Sequence, residues 1–130
     1  MRAESADEYR VYLWISGFED ADDVTRLVGI EPSRVVENDF GSTPRSQVCE
    51  YGPVEYSADS IPKQLEALFR TLNASFAGFS KASRKYDAGV NCVAYLRGEC
   101  NPTLAISAEQ VAALARLGLS IDFDVYFLGD

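Results

Sequence analysis

Asp122 and Asp124 are separated by a single residue in the segment Leu119-Ser120-Ile121-Asp122-Phe123-Asp124-Val125-Tyr126-Phe127. In an extended strand this spacing turns Asp122, Asp124 and Tyr126 to one face, with neighbours about 7 Å apart, and Ile121, Phe123, Val125 and Phe127 to the core. Two carboxylates so placed can hold a cation, act as an acid/base pair, or receive Arg and Lys from a partner. A solvated strand face has the same pattern with no ligand at all. Glu19, Asp20, Asp22 and Asp23 make a second acidic group at an expected helix start. Capping and the helix dipole account for one or two acids there, not for four. Their spacing, with no central Gly, does not match an EF-hand loop. Glu31, Glu37 and Asp39 follow closely, which points to a broad acidic surface.

Other chemistries are excluded by residue type. The chain has no His, so neither a Ser-His-Asp nor a Cys-His arrangement can be built, and zinc sites that use His are closed. Cys49, Cys92 and Cys100 are an odd set without close spacing, which fits reduced thiols better than a disulfide framework. Thiolate chemistry needs a base or a positive neighbour, and the chain has no His for that role. No Gly-rich phosphate cradle precedes Lys81, Arg84 and Lys85, which read as a solvated helix face. The expectation is a protein that is not an enzyme and has no cofactor and no metal.

The formal net charge is −8, and all of that excess lies in residues 1–60, where 13 Asp and Glu face 5 Arg and no Lys. Residues 61–130 carry 7 acids and 7 bases. A one-sided field of this kind concentrates cations and basic surfaces at one end of a molecule. The partner implied is a protein with a basic surface; nucleic acid phosphates are disfavoured. No stretch approaches the roughly 20 apolar residues of a membrane helix, and the N-terminus lacks an apolar run behind a basic start. A soluble, cytoplasmic protein with no membrane partner is expected.

At 130 residues and 47% hydrophobic content, the chain is expected to fold as one domain over 1–130, with 1–8 a flexible N-terminal extension. Residues 9–16 read as a strand with Val11, Leu13 and Ile15 on one face and Tyr12 and Trp14 on the other. Both faces are apolar, which suggests a central strand covered on both sides and a core role for Trp14. A helix over about 21–28 is capped near Asp20 and closed by Gly29 and Pro32. Residues 34–38 and 46–51 form a hairpin around a loop with Gly41 and Pro44. Ser60 and Pro62 open a second helix, and Ser75 to Lys85 form a further helical piece. Ala88 to Arg97 is a strand, and Thr103 to Ile106 a candidate continuation of the sheet. Ser107 to Gln110 is a capping box leading a helix to Leu117, with Val111, Leu114 and Leu117 inward and Gly118 as its end. Leu119 to Leu128 is the last strand. The expected class is α+β: a largely antiparallel twisted sheet with about three helices packed on it. The helix ends Leu27-Val28-Gly29-Ile30 and Leu117-Gly118-Leu119, each following a long strand, suggest a weak internal pseudo-repeat.

The segments Leu27-Val28-Gly29-Ile30-Glu31-Pro32, Gly41, Arg45, Ile106-Ser107-Ala108-Glu109, Leu117-Gly118-Leu119 and Asp122-Phe123-Asp124-Val125-Tyr126 are similar to a bacterial domain-of-unknown-function family, numbered 4279. The resemblance spans roughly residues 9–127. It implies a small bacterial domain of cytoplasmic type and no established activity. Some proteins of this general kind are immunity partners of secreted toxins.

The leading expectation is a small acidic protein-binding domain, an immunity protein that neutralises a basic toxin domain by occlusion. Its expected contacts are Glu19, Asp20, Asp22, Asp23, Glu31, Glu37, Asp39, Asp122 and Asp124, with Phe40 and Tyr51 as aromatic anchors. Two alternatives stand beside it. One is a structural or regulatory homo-oligomer formed through a sheet edge. The other is a carboxylate-based cation site or enzyme at Asp122 and Asp124. The sequence leaves the oligomeric state open.

Overall fold

The structure, a computed structural model, describes residues 7–38, 46–98 and 104–128. Its elements are β1 (Glu8–Ser16), α1 (Ala21–Val28), β2 (Arg34–Asn38), β3 (Ser46–Tyr51), α2 (Ile61–Ala74), α3 (Phe76–Lys85), β4 (Asp87–Leu96), α4 (Ala108–Leu117) and β5 (Ser120–Phe127). The helix boundaries are set by local chemistry. The Asp20 carboxylate accepts from the Asp22 N–H (3.0 Å) at the start of α1, and Gly29 closes that helix at φ 89°. Ser60 accepts from the Lys63 N–H at the start of α2. Ser107 and Gln110 form the expected capping box, and Gly118 ends α4 at φ 72°, a left-handed conformation that favours glycine.

The strands form one sheet in the order β2-β3-β1-β4-β5. All neighbours are antiparallel except β4 and β5, which are parallel. Through β4, the βαββαβ order with β1 between β3 and β4 is the split-βαβ, ferredoxin-like arrangement. The α2 position is extended by α3, and α4–β5 is added at one edge. The sheet is therefore largely antiparallel, as expected, with a parallel last pair. A chain that leaves β4, crosses through a helix and returns beside β4 must run parallel to it. The described residues form four helices, close to the expected three, with α3 as the further helical piece expected after Ser75.

Val11, Leu13 and Ile15 of β1, Cys49 and Tyr51 of β3, and Val90, Cys92, Ala94 and Leu96 of β4 share one sheet face and are buried. Val24 and Val28 of α1, Leu65 and Leu72 of α2, Phe79 and Ala82 of α3, and Leu114 and Leu117 of α4 complete that core. All four helices thus lie on one side. No described helix covers the other side, so β1 is central but packed under helices on only one face among the described residues. Val111, expected inward, is 50% exposed. Residues 104–107 are not a strand; Thr103 lies outside the described residues. Asp7 and Glu8 belong to the fold rather than to an extension. β1 starts at Glu8, and Asp7 accepts from the Arg97 N–H at 2.8 Å.

The internal echo has a structural counterpart. β1-α1-β2 and β4-α4-β5 are both strand, helix, parallel strand; β3 separates the first pair, and nothing separates the second. The last carbonyl of each helix, Val28 O and Leu117 O, accepts from a serine, Ser75 ahead of α3 and Ser83 within it. These two bonds pin the ends of α1 and α4 to the same central helix.

Candidate functional site: the open face of the sheet

The side of the sheet away from the helices is built by the even-numbered residues of β1 and β5 and their partners. One row crosses all five strands as Arg34, Glu50, Trp14, Gly89 and Ser120. The next rows place Tyr12 beside Asn91 and Asp122, then Arg10 beside Val93 and Asp124, then Tyr95 beside Tyr126. Trp14 lies over β4 because its partner is Gly89. A Cβ at position 89 would stand 2.9 Å from the indole Cζ2 and 2.8 Å from Ser120 Oγ.

Aromatic rings run along this face. Tyr95 stacks on Tyr126 with centroids 5.1 Å apart and planes at 19°, and meets Tyr56 edge-on at 5.1 Å. The Arg10 guanidinium sits 4.0 Å over the Tyr12 ring, and Asn91 donates to the Tyr12 hydroxyl at 3.1 Å. Burial, and secondarily the neighbouring Tyr95, pushes the Tyr56 hydroxyl up to about 12. Tyr126 is 47% exposed. Tyr12, Trp14, Val36, Val48, Glu50 and Asn91 border a shallow hollow of about 250 Å³.

A buried ion network lies on the same face as the rings. Arg10 and Glu50 are both almost fully buried. Arg10 donates to Glu50 Oε1 and, through Nε, to the Pro53 carbonyl at 2.7 Å. Arg34 Nε donates to the same Glu50 oxygen at 2.7 Å. Sequence reasoning missed this network. The available signal was a single charge inside each of two otherwise apolar or aromatic strand runs, Tyr9-Arg10-Val11 and Cys49-Glu50-Tyr51.

The expected contact residues fall into separate groups. Glu19, Asp20, Asp22 and Asp23 surround the start of α1, where Asp20 is the cap and Asp23 pairs with Arg26. Glu31 and Asp22 border one small hollow beside α1. Glu37 is on β2, the edge opposite β5, and on the helix side of the sheet. Asp122 and Asp124 lie on the open face beside β4, not beside the first strand, so they do not join the N-terminal acids. The two edges stand about 19 Å apart, four strand spacings. Asp39 and Phe40 lie outside the described residues.

Tyr51 must be corrected as an anchor. It is 2% exposed, its ring meets Phe79 edge-on at 5.1 Å, and its hydroxyl donates to the Ile30 carbonyl at 2.8 Å. As an odd-numbered residue of β3 it faces the helices. Trp14 has the reverse outcome: it is only partly buried and sits on the open face, outside the helix-covered core.

Cys49 and Cys92 are fully buried. Burial pushes their thiols up to about 11 and about 12, away from the thiolate form. Among the described residues no group of three or more His, Cys, Asp and Glu could hold a metal ion. No described helix is long and apolar enough to cross a membrane.

These features define a class: an α+β domain of split-βαβ topology, extended by one parallel strand, with an aromatic, partly acidic open face. The profile of the family described as Domain of unknown function (DUF4279) matches residues 7–128, and the chain belongs to that family. No curated protein and no solved structure matches it.

Proposed function

We propose that the chain is a small acidic protein-binding domain that docks a basic partner on the open face of its sheet. The observation that carries this reading is the juxtaposition of exposed Tyr126 and partly buried Tyr95 and Trp14 with the carboxylates of Asp122 and Asp124. Rings of this kind offer a large contact area and stack with Arg. Aromatic platforms on open sheets also take nucleobases, but carboxylates among the rings repel the phosphates that accompany them. Arg10, the cation nearest the rings, is occupied by Glu50. The acids around α1 and Glu31 add a long-range field that speeds encounter with a basic surface.

In its most specific form the proposal is an immunity protein that occludes a basic toxin domain. The test is coexpression with a toxin domain encoded beside its gene, together with calorimetry on the purified pair. Protection and binding are expected, both weakened by Trp14→Ala with Tyr126→Ala. Binding that is unaffected by this pair, or no protection from the neighbouring toxin, would count against it.

A further inference from the structure

β5 is the last strand of the sheet, and no described segment pairs with its outer edge. The Leu128 N–H donates to the Leu96 carbonyl at 2.9 Å. Backbone direction alternates along a strand, so Asp122, Asp124 and Tyr126 turn their N–H and C=O groups toward β4. Those of Ile121, Phe123, Val125 and Phe127 turn outward. Natural sheets usually shorten or cover such an edge; this one runs eight residues and is rich in β-branched and aromatic types. Its helix-side apolar residues are incompletely covered, with Phe127 78% exposed and Phe123 37% exposed.

We infer that this edge takes an extended segment of the basic partner as a sixth strand, with basic and apolar residues alternating along it. An incoming strand has the same period of two. Its basic side chains would fall on the open face opposite Asp122 and Asp124. Its apolar ones would cover Phe123, Val125 and Phe127, while its backbone takes the outward N–H and C=O groups. In two of its registers the same carboxylates oppose a second copy of this chain in that place. Antiparallel pairing of two β5 strands about Phe123 sets Asp122 against Asp124, and pairing about Asp124 sets that residue against itself. Like charges directly opposite are destabilising.

The inference rests on the reading of a basic partner and specifies where and how that partner binds. A synthetic peptide alternating Lys and Val is titrated into the full chain, with amide hydrogen exchange followed by NMR. Slowed exchange at Phe123, Val125 and Phe127 is expected, and about tenfold weaker binding to Asp122→Asn with Asp124→Asn. An alternating Glu and Val peptide is expected not to bind. A Lys and Val peptide N-methylated on the residues that face β5 should also fail, which needs no variant of the protein. Binding without slowed exchange at those amides overturns the inference, as does equal binding of the N-methylated peptide. A dimer that already protects the edge in the free protein overturns it too. A whole basic partner that binds while these amides still exchange freely sinks this inference and leaves the open-face reading standing.

Discussion

Glu50 on β3 accepts from Arg10 on β1 in the interior of the sheet, and both side chains are almost entirely out of water. The carboxylate also holds Arg34 on β2, so one acid ties three neighbouring strands together on the face that carries the aromatic rings. Removing one partner of a buried pair leaves the other charge uncompensated, at a cost of about 3–5 kcal/mol. Glu50→Ala is expected to lose stability of that order in urea denaturation. A loss below about 1 kcal/mol, the range of exposed pairs, would show that Arg10 finds other compensation.

Gly78 on α3 faces the last turn of α1. A Cβ there would stand 2.2 Å from the Val28 carbonyl oxygen and 2.7 Å from its carbon, both backbone atoms that cannot swing aside. Gly78→Ala is expected to push the two helices apart and to cost at least the 1–3 kcal/mol typical of overpacking, despite the higher helix propensity of Ala. A thermal melt equal to or above that of the parent protein would refute the close packing of α1 on α3.

Gly89 makes room for the Trp14 indole. Gly89→Ala should displace that ring, or Ser120, without unfolding the domain, since both neighbours are side chains. As Trp14 is the single Trp, its fluorescence reports the change directly. A shifted emission maximum with unchanged far-ultraviolet circular dichroism is the expected result, accompanied by weaker binding of the proposed basic partner.

Alkaline pH should destabilise the domain well before exposed groups explain it. The Cys49 and Cys92 thiols have folded values raised to about 11 and about 12 by burial. Above the ordinary thiol value the unfolded chain loses these protons and the folded chain keeps them. Stability is then full below about pH 9 and falls as pH rises toward the folded values, by about 1.4 kcal/mol per pH unit for each thiol. Cys49→Ala with Cys92→Ala should flatten that slope while lowering stability at neutral pH; an unchanged slope would assign it to other groups.

Tyr51→Phe tests the reassignment of that residue. Losing its hydroxyl leaves the Ile30 carbonyl without this donor, at an expected net cost of about 1 kcal/mol. Binding of the proposed basic partner should be unchanged, because the ring faces the helices. A loss of affinity without a loss of stability would return Tyr51 to the interface.

Local chemistry carried most of the element boundaries. Asp20, Ser60 and Ser107 cap helices where their hydroxyl or carboxylate meets the next N–H groups, and Gly29 and Gly118 end helices in a left-handed conformation open to them. Period-two patterning separated Val11, Leu13 and Ile15 from Tyr12 and Trp14, and Asp122 and Asp124 from Ile121 and Val125. It could not say whether both sides of β1 were covered, because an aromatic strand face packs equally well under a helix or beside water. Nor could it tell that Tyr51 points to the core and Trp14 away from it. That depends on register: Trp14 pairs with Glu50 and Leu13 with Tyr51, and a shift of one residue would exchange the faces.

Sequence alone determined the chemistry available to this protein: a chain without His, rich in carboxylates, with Cys92 in an apolar run and acids concentrated before residue 61. Only the tertiary structure decided which of those carboxylates share a face. The strand order sends Glu37 and Asp122 to opposite edges, and the parallel crossover through α4 places Asp122 and Asp124 beside Asn91 and Val93, on the same sheet face as Tyr95 and Trp14. The physical reason is that strand order and register arise from contacts between residues distant in the chain, whereas caps, turns and alternation arise within a few residues.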